Sequence, residues 1–430
     1  MIAPSTHPAA LPAFHVMAKP TGAICNLACD YCYFRSKEQL YPGSRFRMTD
    51  EVLAAYMRQL LAASPQPEVM VAWQGGEPTL MGLDFFKRAV ELAEQYRQPH
   101  QRIRHTLQTN GTLLDAEWAA FFKAHHFLIG LSIDGPRDLH DAYRVTKGGA
   151  GSFDQARHGW EVLRQHAVEV NILCALHAAN ADRPREVYKF LRDELGARFI
   201  QFIPIVERAV TTTGGPHSTA RSITPRQYGR FLVEVFDEWV RHDVGRVYVQ
   251  LFDATLGAYV GQYSLCVHSP TCGAALALEH TGDLYACDHF VEPDYRLGNI
   301  KETDLAELIV TEQQQHFGQA KLSALPRDCR DCDVRWACHG GCPKDRWATT
   351  PVGEPGLNYL CAGYQHFFRH AQDAMRFMAN ELRFNRPPAR VMDYMARQDE
   401  VWRNRAAMTP RNDPYPCGSG RKTKQCHGSR

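Results

Sequence analysis

The chain has 430 residues, 44% of them hydrophobic, and its 49 basic residues nearly balance its 47 acidic ones, which leaves a net charge of +2. This balance gives no electrostatic reason to expect nucleic acid or an anionic membrane surface as a partner. No run of about 18 apolar residues occurs, so no membrane span is predicted. The first residues lack the basic start and apolar stretch of a secretory signal, and we expect a cytosolic protein.

The 14 cysteines are informative in that compartment. Cytosolic thiols stay reduced, so metal or cluster ligation is favoured over a disulfide framework. Three cysteines lie within residues 25–32, eight within residues 266–361, and two in the last 14 residues. Cys174 stands alone in an apolar stretch and is predicted to be a buried core thiol.

Short apolar runs alternate with amphipathic helical patterns over the first half of the chain. The predicted strands are Phe14–Lys19, Val69–Gln74, Ile103–Thr109, Phe127–Ile133, Val168–His177 and Phe199–Ile205. The predicted helices are Thr49–Ala63, Leu83–Tyr96, Asp115–His125, Phe153–His166 and Pro184–Leu195. This alternation indicates an α/β fold with a parallel sheet. Six units are too few for a closed eight-stranded barrel, so we expect a partial (β/α)6 TIM-like barrel over residues 14–242 with its functional loops at the carboxyl ends of the strands.

The regular alternation of strands and helices ends in the second half of the chain. Residues Val206–Ser222 are predicted to be a loop that overhangs the barrel mouth and helps to read the substrate, and a helix Thr224–His242 follows. Residues 243–363 contain short segments dense in Cys, Gly and Pro, which indicate a domain constrained by bound metal rather than by a large core. A polar helical segment is predicted over residues 364–408 and a short tail over residues 409–430.

Cys25, Cys29 and Cys32 have the spacing C-x3-C-x2-C and follow the first predicted strand. Three thiolates can hold three irons of a [4Fe–4S] cluster and leave the fourth iron open to a small ligand, whereas ordinary clusters use four. A zinc site is the alternative, but it needs a fourth protein ligand nearby.

The motif resembles the signature of radical S-adenosylmethionine (SAM) enzymes. The resemblance implies that the open iron binds SAM and that SAM is cleaved to a 5′-deoxyadenosyl radical. It also assigns SAM contacts: Gly76 and Glu77 near the amino group, Ser132 and Arg144 at the ribose and carboxylate, and Tyr31 and Val206 near the adenine. Two alternatives stay open, since Gly-Gly-Glu-Pro is commonly an ordinary turn and Arg144 could form a surface salt bridge.

Eight later cysteines supply enough ligands for two four-thiolate clusters. Their spacing resembles the SPASM extension of radical SAM enzymes that modify peptides and proteins. That resemblance implies two ligand sets, one of Cys266, Cys272, Cys287 and Cys342 and one of Cys329, Cys332, Cys338 and Cys361. Two four-cysteine zinc sites are the alternative.

The pair Cys287-Asp288 resembles the anaerobic sulfatase-maturating enzymes. The resemblance implies that the substrate is a Cys or Ser of an immature sulfatase polypeptide, oxidised to formylglycine, with electrons from a donor such as flavodoxin or ferredoxin. Asp288 is then the base that takes the substrate's proton, and we expect burial to raise its pKa. The alternative is that Asp288 only caps the turn after Cys287.

The tail resembles an incomplete SEC-C zinc motif, in which Tyr415 stands at one cysteine position and Cys417, Cys426 and His427 remain. A zinc site there is therefore left open. Two other functions are also kept open for the whole chain. One is a different peptide-modifying radical enzyme that cross-links or epimerises its substrate, and the other is a non-catalytic zinc-binding module.

Overall fold

Residues 11–210 and 216–408 are described by a computed structural model. Six parallel strands open the fold: β1 (His15–Lys19), β2 (Glu68–Trp73), β3 (Arg102–Thr109), β4 (Leu128–Ser132), β5 (Glu169–Leu176) and β6 (Phe199–Pro204). The helices between them are α1 (Asp50–Ala63), α2 (Leu83–Tyr96), α3 (Ala116–Ala124), α4 (Arg137–Asp141), α5 (Phe153–Gln165) and α6 (Pro184–Lys189), which continues as a π-helical turn, Phe190–Glu194. The predicted alternation of strand and helix is confirmed.

The six strands pair in chain order, each parallel to the next, which is the arrangement expected of a partial barrel. Side chains of the sheet and of the surrounding helices form one continuous apolar core, and Cys174 is fully buried in it. Helices begin where capping chemistry predicts. Thr49 and Asp115 accept hydrogen bonds from the backbone N–H groups of Val52 and Trp118, which satisfies donors that the helix itself cannot pair.

The segment predicted as a loop after β6 contains a short hairpin, β7 (Arg208–Val210) and β8 (Pro216–Ser218). The expectation of an irregular loop over Val206–Ser222 is wrong to that extent, because antiparallel pairing satisfies the backbone of both arms. Helix α7 (Pro225–His242) follows and begins with a capping box between Thr224 and Gln227.

The sheet extends beyond the six predicted strands at both edges. Strand β9 (Tyr248–Val249) pairs parallel with β6 and leads into α8 (Gln250–Tyr259). Strand β10 (Ala275–Glu279) pairs parallel with β1, and β11 (Asp283–Tyr285) and β12 (Arg296–Asn299) add an antiparallel pair, giving ten strands. The cysteine-rich region therefore shares the barrel's sheet, and Leu276 and Leu278 of β10 lie in the same core. The expectation that this region lacks a large core is wrong for this part of it.

Short elements make up the rest of the cysteine-rich region: α9 (Leu305–Leu308), α10 (Glu312–Ser323), α11 (Arg327–Arg330), α12 (Arg335–Cys338), β13 (Ala348–Thr349) and β14 (Pro355–Leu357). Of these, α11 contains Cys329 and α12 ends at Cys338. Two long helices, α13 (Cys361–Arg383) and α14 (Val391–Met408), complete the described chain. The single predicted helical segment is thus divided, because Pro387 and Pro388 cannot continue a helix. Residues Cys417, Cys426 and His427 lie outside the described residues, so a zinc site there stays a prediction.

None of the helices in the described part of the chain has the length and apolar character of a membrane-spanning segment.

Candidate active site

The first cysteine loop leaves the carboxyl end of β1 and is held by backbone bonds to a distant segment. The N–H of Ala28 donates to the Val145 carbonyl at 2.8 Å, and the N–H of Asp30 donates to the Tyr143 carbonyl at 3.0 Å. Cys25, Cys29 and Cys32 lie close enough to influence one another electrostatically. Burial, with Glu77 and the other two thiols, raises the pKa of Cys25 to about 12. The Cys25 thiol is thus protonated in the metal-free protein and requires a cation to ionise.

The segment Gly75–Glu77 packs directly on this cysteine loop. The Gly76 N–H donates to the Gly22 carbonyl at 2.7 Å, and the Glu77 N–H donates to the Ile24 carbonyl at 2.9 Å. A β-carbon on Gly76 would lie 1.9 Å from the Ile24 carbonyl oxygen, so only glycine fits there. Gly76 therefore allows the close approach of two loops, which is a stronger requirement than an ordinary turn imposes.

Glu77 is buried, and both of its carboxylate oxygens are engaged. Oε1 accepts from the hydroxyls of Thr79 and Thr109 at 2.7 and 2.8 Å, and Oε2 accepts from the Asn110 N–H at 2.8 Å. The Asn110 side chain in turn donates to Cys25 Sγ at 3.6 Å and to Asn26 Oδ1 at 2.8 Å. The carboxylate thus ties the ends of β2 and β3 to the cysteine loop, a positioning role that sequence spacing did not reveal.

Arg144 forms a largely buried ion pair, not a surface salt bridge. Its Nε donates to Asp134 Oδ2 at 2.7 Å, and Tyr31 donates its hydroxyl proton to the same oxygen at 2.6 Å. Burial alone would raise the pKa of Asp134, but Arg144 and His177 hold it well below its usual range. The Tyr31 ring stacks on His177 at 5.6 Å. Asp134 thus holds the Arg144 guanidinium in place, and this guanidinium lies close enough to Cys29 to interact with it electrostatically.

Ser132 is the last residue of β4 and is half-buried, and Val206 lies just beyond the end of β6, half-buried against the core. With Tyr31, Gly76, Glu77 and Arg144, all six predicted SAM-contact residues thus lie at or beyond the carboxyl ends of parallel strands, the edge at which such sheets bind ligands.

Asp288 lies beside the first cysteine loop, although 255 residues separate it from Tyr33. The Tyr33 hydroxyl donates to Asp288 Oδ2 at 2.7 Å, and Oδ1 pairs with the buried ammonium of Lys19, the last residue of β1. Burial alone would raise the pKa of Asp288, but Lys19, His289 and Tyr33 hold it below its ordinary value. The expectation of a raised pKa is therefore wrong, because the adjacent ammonium of Lys19 stabilises the ionised carboxylate.

Two groups of later cysteines are distinguished by their mutual electrostatic influence. Cys287 interacts with Cys342 and Cys266, and Cys272 interacts with Cys266. We call the residues Cys266, Cys272, Cys287 and Cys342 the first auxiliary set. Cys338 interacts with Cys361, Cys329 and Cys332, and we call these four residues the second auxiliary set.

The second auxiliary set lines one cavity of about 330 Å³. Burial raises the pKa of Cys338 to about 12 and that of Cys361 to about 11, so these thiols too stay protonated without metal. Four thiols around one enclosed space suit the ligand set of a [4Fe–4S] cluster. Beside the first auxiliary set, Gln314 of α10 donates to the carbonyls of Gly273 and Ala286. These two bonds hold together the segments that carry Cys272 and Cys287.

Comparison with known proteins agrees with this geometry. The family model of the radical SAM superfamily matches residues 20–191, and that of the SPASM iron–sulfur cluster-binding domain matches residues 270–333. The serine-type anaerobic sulfatase-maturating enzyme of Bacteroides thetaiotaomicron is 42% identical over 391 residues, which cover 88% of this chain and 94% of the relative. The chain belongs to the anaerobic sulfatase-maturating enzymes.

Other relatives support the same conclusion. The cysteine-type anaerobic sulfatase-maturating enzyme of Clostridium perfringens is 33% identical over 87% of this chain and its own full length. The solved structure described as native anSMEcpe with bound AdoMet and Kp18Cys peptide matches with a TM-score of 0.78 and 32% identity, covering 86% of this chain and 100% of that chain. Streptococcus suis SuiB, at 15% identity and a TM-score of 0.52, shares the fold. This anaerobic sulfatase-maturating enzyme is thus a radical SAM oxidoreductase that uses SAM and iron–sulfur clusters, and the alternative of a non-catalytic zinc-binding module is wrong.

Three residues of the candidate site were not predicted from the sequence. Lys19 and Tyr33 flank Asp288, and His177 packs under Tyr31, yet none of them belongs to a spaced motif. The one available signal was the position of Lys19 at the carboxyl end of an apolar strand, where a buried cation is unusual.

Proposed function

We propose that this enzyme oxidises the β-carbon of a Cys or Ser in an immature sulfatase polypeptide and so produces formylglycine. The observation that carries the proposal is the contact between Tyr33, next to the first cysteine loop, and Asp288, next to the first auxiliary set. This contact brings a carboxylate and the cluster ligand Cys287 to the edge of the first cysteine loop, so a substrate side chain bound there would be near all three. Proximity of this kind is what a multi-centre oxidation requires.

We assign the three cysteines of the first loop to a cluster with one open iron. The first and second auxiliary sets would each supply four thiolates to one further cluster, with the barrel over residues 14–242 and the auxiliary ligands over residues 243–363. Bound SAM and the first cluster would supply the radical chemistry by which one hydrogen atom leaves the substrate β-carbon. The mutual influence of the thiols within each set and the four-thiol cavity support this assignment.

We assign SAM binding to Tyr31, Gly76, Glu77, Ser132, Arg144 and Val206. Gly76 keeps the backbone beside the cysteine loop, where a small ligand can approach it. Arg144 is held by Asp134, and this fixes the guanidinium next to Cys29. Glu77 acts through the loop that it braces, since its oxygens already have four donors.

Asp288 is the proposed proton acceptor. The reaction removes a hydrogen atom, a proton and an electron from the substrate, so a proton acceptor is needed after the radical step. Loss of the hydrogen atom from the β-carbon makes the attached hydroxyl or thiol more acidic, because the resulting anion shares its charge with the radical centre. A carboxylate kept ionised by Lys19 can then take the proton, and the electron leaves by the adjacent Cys287. A serine gives the aldehyde directly, and a cysteine gives a thioaldehyde that water hydrolyses.

The proposed partners are an immature sulfatase and a small electron donor of the flavodoxin or ferredoxin type, both in the cytosol. None of the twelve cysteines within the described residues forms a disulfide, and eleven of them are the proposed cluster ligands. Relatives named serine-type and cysteine-type both match this chain over most of its length, so the proposal includes both substrate residues.

The test of the function is a peptide assay. Anaerobically purified enzyme with about twelve irons per chain is incubated with SAM, a reductant and a peptide carrying C/S-x-P-x-R. We expect mass spectrometry to detect loss of two hydrogen atoms from the serine peptide, or exchange of the thiol sulfur for a carbonyl oxygen in the cysteine peptide. Cleavage of SAM with a cross-linked or epimerised peptide instead would contradict the proposal.

The Asp288→Asn variant tests the proposed base. Asparagine keeps the size of the side chain but cannot accept the proton, so turnover should fall about 10²-fold or more while all three clusters remain. Asp294→Asn, which removes an exposed carboxylate from the same segment, should keep the activity of the unaltered enzyme. If Asp288→Asn retains full turnover with intact clusters, the carboxylate is not the base.

A further inference from the structure

Lys321 is a buried cation without a carboxylate partner. It lies on α10 with 1% of its surface exposed, and its ammonium donates to the backbone carbonyls of Cys266 and Val267. Within residues 11–210 and 216–408, no carboxylate forms an ion pair with it. Removing an ammonium from water costs several kcal/mol unless opposite charge compensates it. Two carbonyl dipoles supply only part of that compensation, so a negative group is missing from its surroundings.

The groups that face Lys321 are cysteines of the first auxiliary set. Its ammonium interacts attractively with Cys272, Cys266 and Cys342, whereas Arg346 repels it. The imidazoles of His268 and His339 also lie within its electrostatic reach. Asp345, next to Arg346 in the chain, is paired with Lys344 at 2.7 Å. Among the described residues, Lys321 and Arg346 therefore have no carboxylate partner, and cysteine thiols are the groups that attract both of them.

Arg346 connects the two auxiliary sets. It interacts attractively with Cys272 and Cys342 of the first auxiliary set and with Cys329 and Cys338 of the second. Its guanidinium donates to four backbone carbonyls, those of Lys321 at 2.6 Å, Gly340 at 2.9 Å, His339 at 2.8 Å and Gly341 at 3.3 Å. These bonds fix the charge between the sets, and this residue also has no ion-pair partner among the described carboxylates.

We propose that Lys321 and Arg346 are the counter-charges of the two auxiliary clusters and that they raise the reduction potentials of these clusters. The proposal rests on the ligand sets assigned under the proposed function. A [4Fe–4S] core of charge 2+ with four thiolates carries a net charge of −2, and uptake of one electron makes it −3. A fixed cation nearby favours the more negative state, so the cluster accepts the substrate's electron more readily. Both residues are positioning residues, because they act through the cluster and touch no reacting atom.

The experiment is a redox titration of anaerobically purified holoenzyme, followed by electron paramagnetic resonance. In Lys321→Met, which keeps the length of the side chain but removes the charge, the equilibrium constant for one-electron reduction of the first auxiliary cluster should fall about tenfold, that is by about 59 mV. The cluster of Cys25, Cys29 and Cys32 serves as the internal reference, since its signal changes when SAM binds. Lys301→Met, an exposed lysine, is the matched control and should leave all potentials unchanged.

Two further variants separate charge from packing. Arg346→Gln should lower the potentials of both auxiliary clusters, while Lys321→Arg, which keeps the charge, should restore the original values. Loss of clusters from Lys321→Met but not from Lys321→Arg also supports a counter-charge, and loss from both variants overturns it. Full cluster content with unchanged potentials in Lys321→Met overturns the proposal as well. Fewer than three clusters in the unaltered enzyme would instead contradict the ligand assignment on which it rests.

Discussion

Glu77 illustrates how one buried carboxylate organises the proposed SAM site. It accepts from two threonine hydroxyls and two backbone N–H groups, which belong to the turn Pro78–Met81 after β2 and to the end of β3. Burial raises the pKa of Glu77, while these donors lower it. Both oxygens of the carboxylate are therefore needed as hydrogen-bond acceptors for the surrounding hydroxyl and N–H groups.

We expect Glu77→Gln to weaken SAM binding about tenfold, since the new amide nitrogen faces donors and leaves about 1.4 kcal/mol of hydrogen bonding unmet. Anaerobic equilibrium dialysis with SAM measures the effect, and the iron content reports whether the first cluster is retained. Glu68→Gln, at an exposed carboxylate that begins β2, is the control. Unchanged SAM affinity in Glu77→Gln would show that SAM binding does not depend on the hydrogen bonds that the Glu77 carboxylate accepts.

His105 makes the stability of the barrel depend on pH. Its ring is buried, accepts from Trp73 Nε1 at 3.4 Å and stacks on Phe127 at 4.8 Å. Burial, with a smaller contribution from His125, lowers the pKa of His105 to about 4. Below its ordinary pKa near 6.5 the unfolded chain takes up a proton that the folded protein excludes, so stability falls as the pH falls.

Between pH 7.5 and pH 5.5, His105 alone should cost about 1 kcal/mol of stability. His105→Gln keeps an acceptor for Trp73 but does not titrate, so the fall of its unfolding midpoint over this range should be smaller than that of the unaltered protein. Thermal scans at a fixed rate and at both pH values provide the measurement. His100→Gln, at an exposed histidine, should behave as the unaltered protein does, and equal falls in all three proteins would refute the assignment.

At the scale of elements, the contact between α7 and α13 joins the barrel to the cluster-bearing half of the chain. A glycine from each helix, Gly229 and Gly363, stands at the crossing, where a β-carbon on Gly363 would lie 2.5 Å from the Pro225 carbonyl oxygen. Aromatic pairs continue the contact, with the rings of Tyr228 and Tyr364 at 5.4 Å. Cys361 begins α13, so this crossing also positions a ligand of the second auxiliary set.

Gly363→Ala should destabilise the protein by about 1–3 kcal/mol, because the added methyl group must push backbone away from backbone. We expect a lower unfolding temperature together with a loss of iron from the second auxiliary cluster. Gly148→Ala is the control, since its nearest neighbour would be a side-chain atom at 3.8 Å. An unchanged unfolding temperature in Gly363→Ala would mean that the helices separate without cost.

At the scale of the whole molecule, the pairing of β10 with β1 brings the two cysteine-rich regions together. β1 leads into the first cysteine loop, while β10 and β11 lead into Cys287 and Asp288. The strands that lead to the first cysteine loop and to Cys287 and Asp288 thus belong to one sheet, which fixes these two segments relative to each other. Such rigidity suits the proposed reaction, which divides one oxidation among a radical, a base and an electron acceptor.

The sequence by itself determined the six βα units, the helix caps at Thr49 and Asp115, and the cysteine motifs, because each depends on local periodicity or spacing. Resemblance to a family also made Asp288, Gly76 and Arg144 candidate site residues, whose roles stay predictions. These features belong to short segments, and their secondary structure and helix ends depend mainly on residues close by in the chain.

Only the tertiary structure decided what those residues contact. No local pattern in the sequence predicts that β10 pairs with β1. Asp288 lies 255 residues from Tyr33 and 269 residues from Lys19 along the chain, yet it contacts both side chains. The lowered pKa of Asp288 and the unpaired charge of Lys321 follow from such contacts. Electrostatic interactions depend on distance and burial rather than on position along the chain, and both are set only when the sheet is assembled.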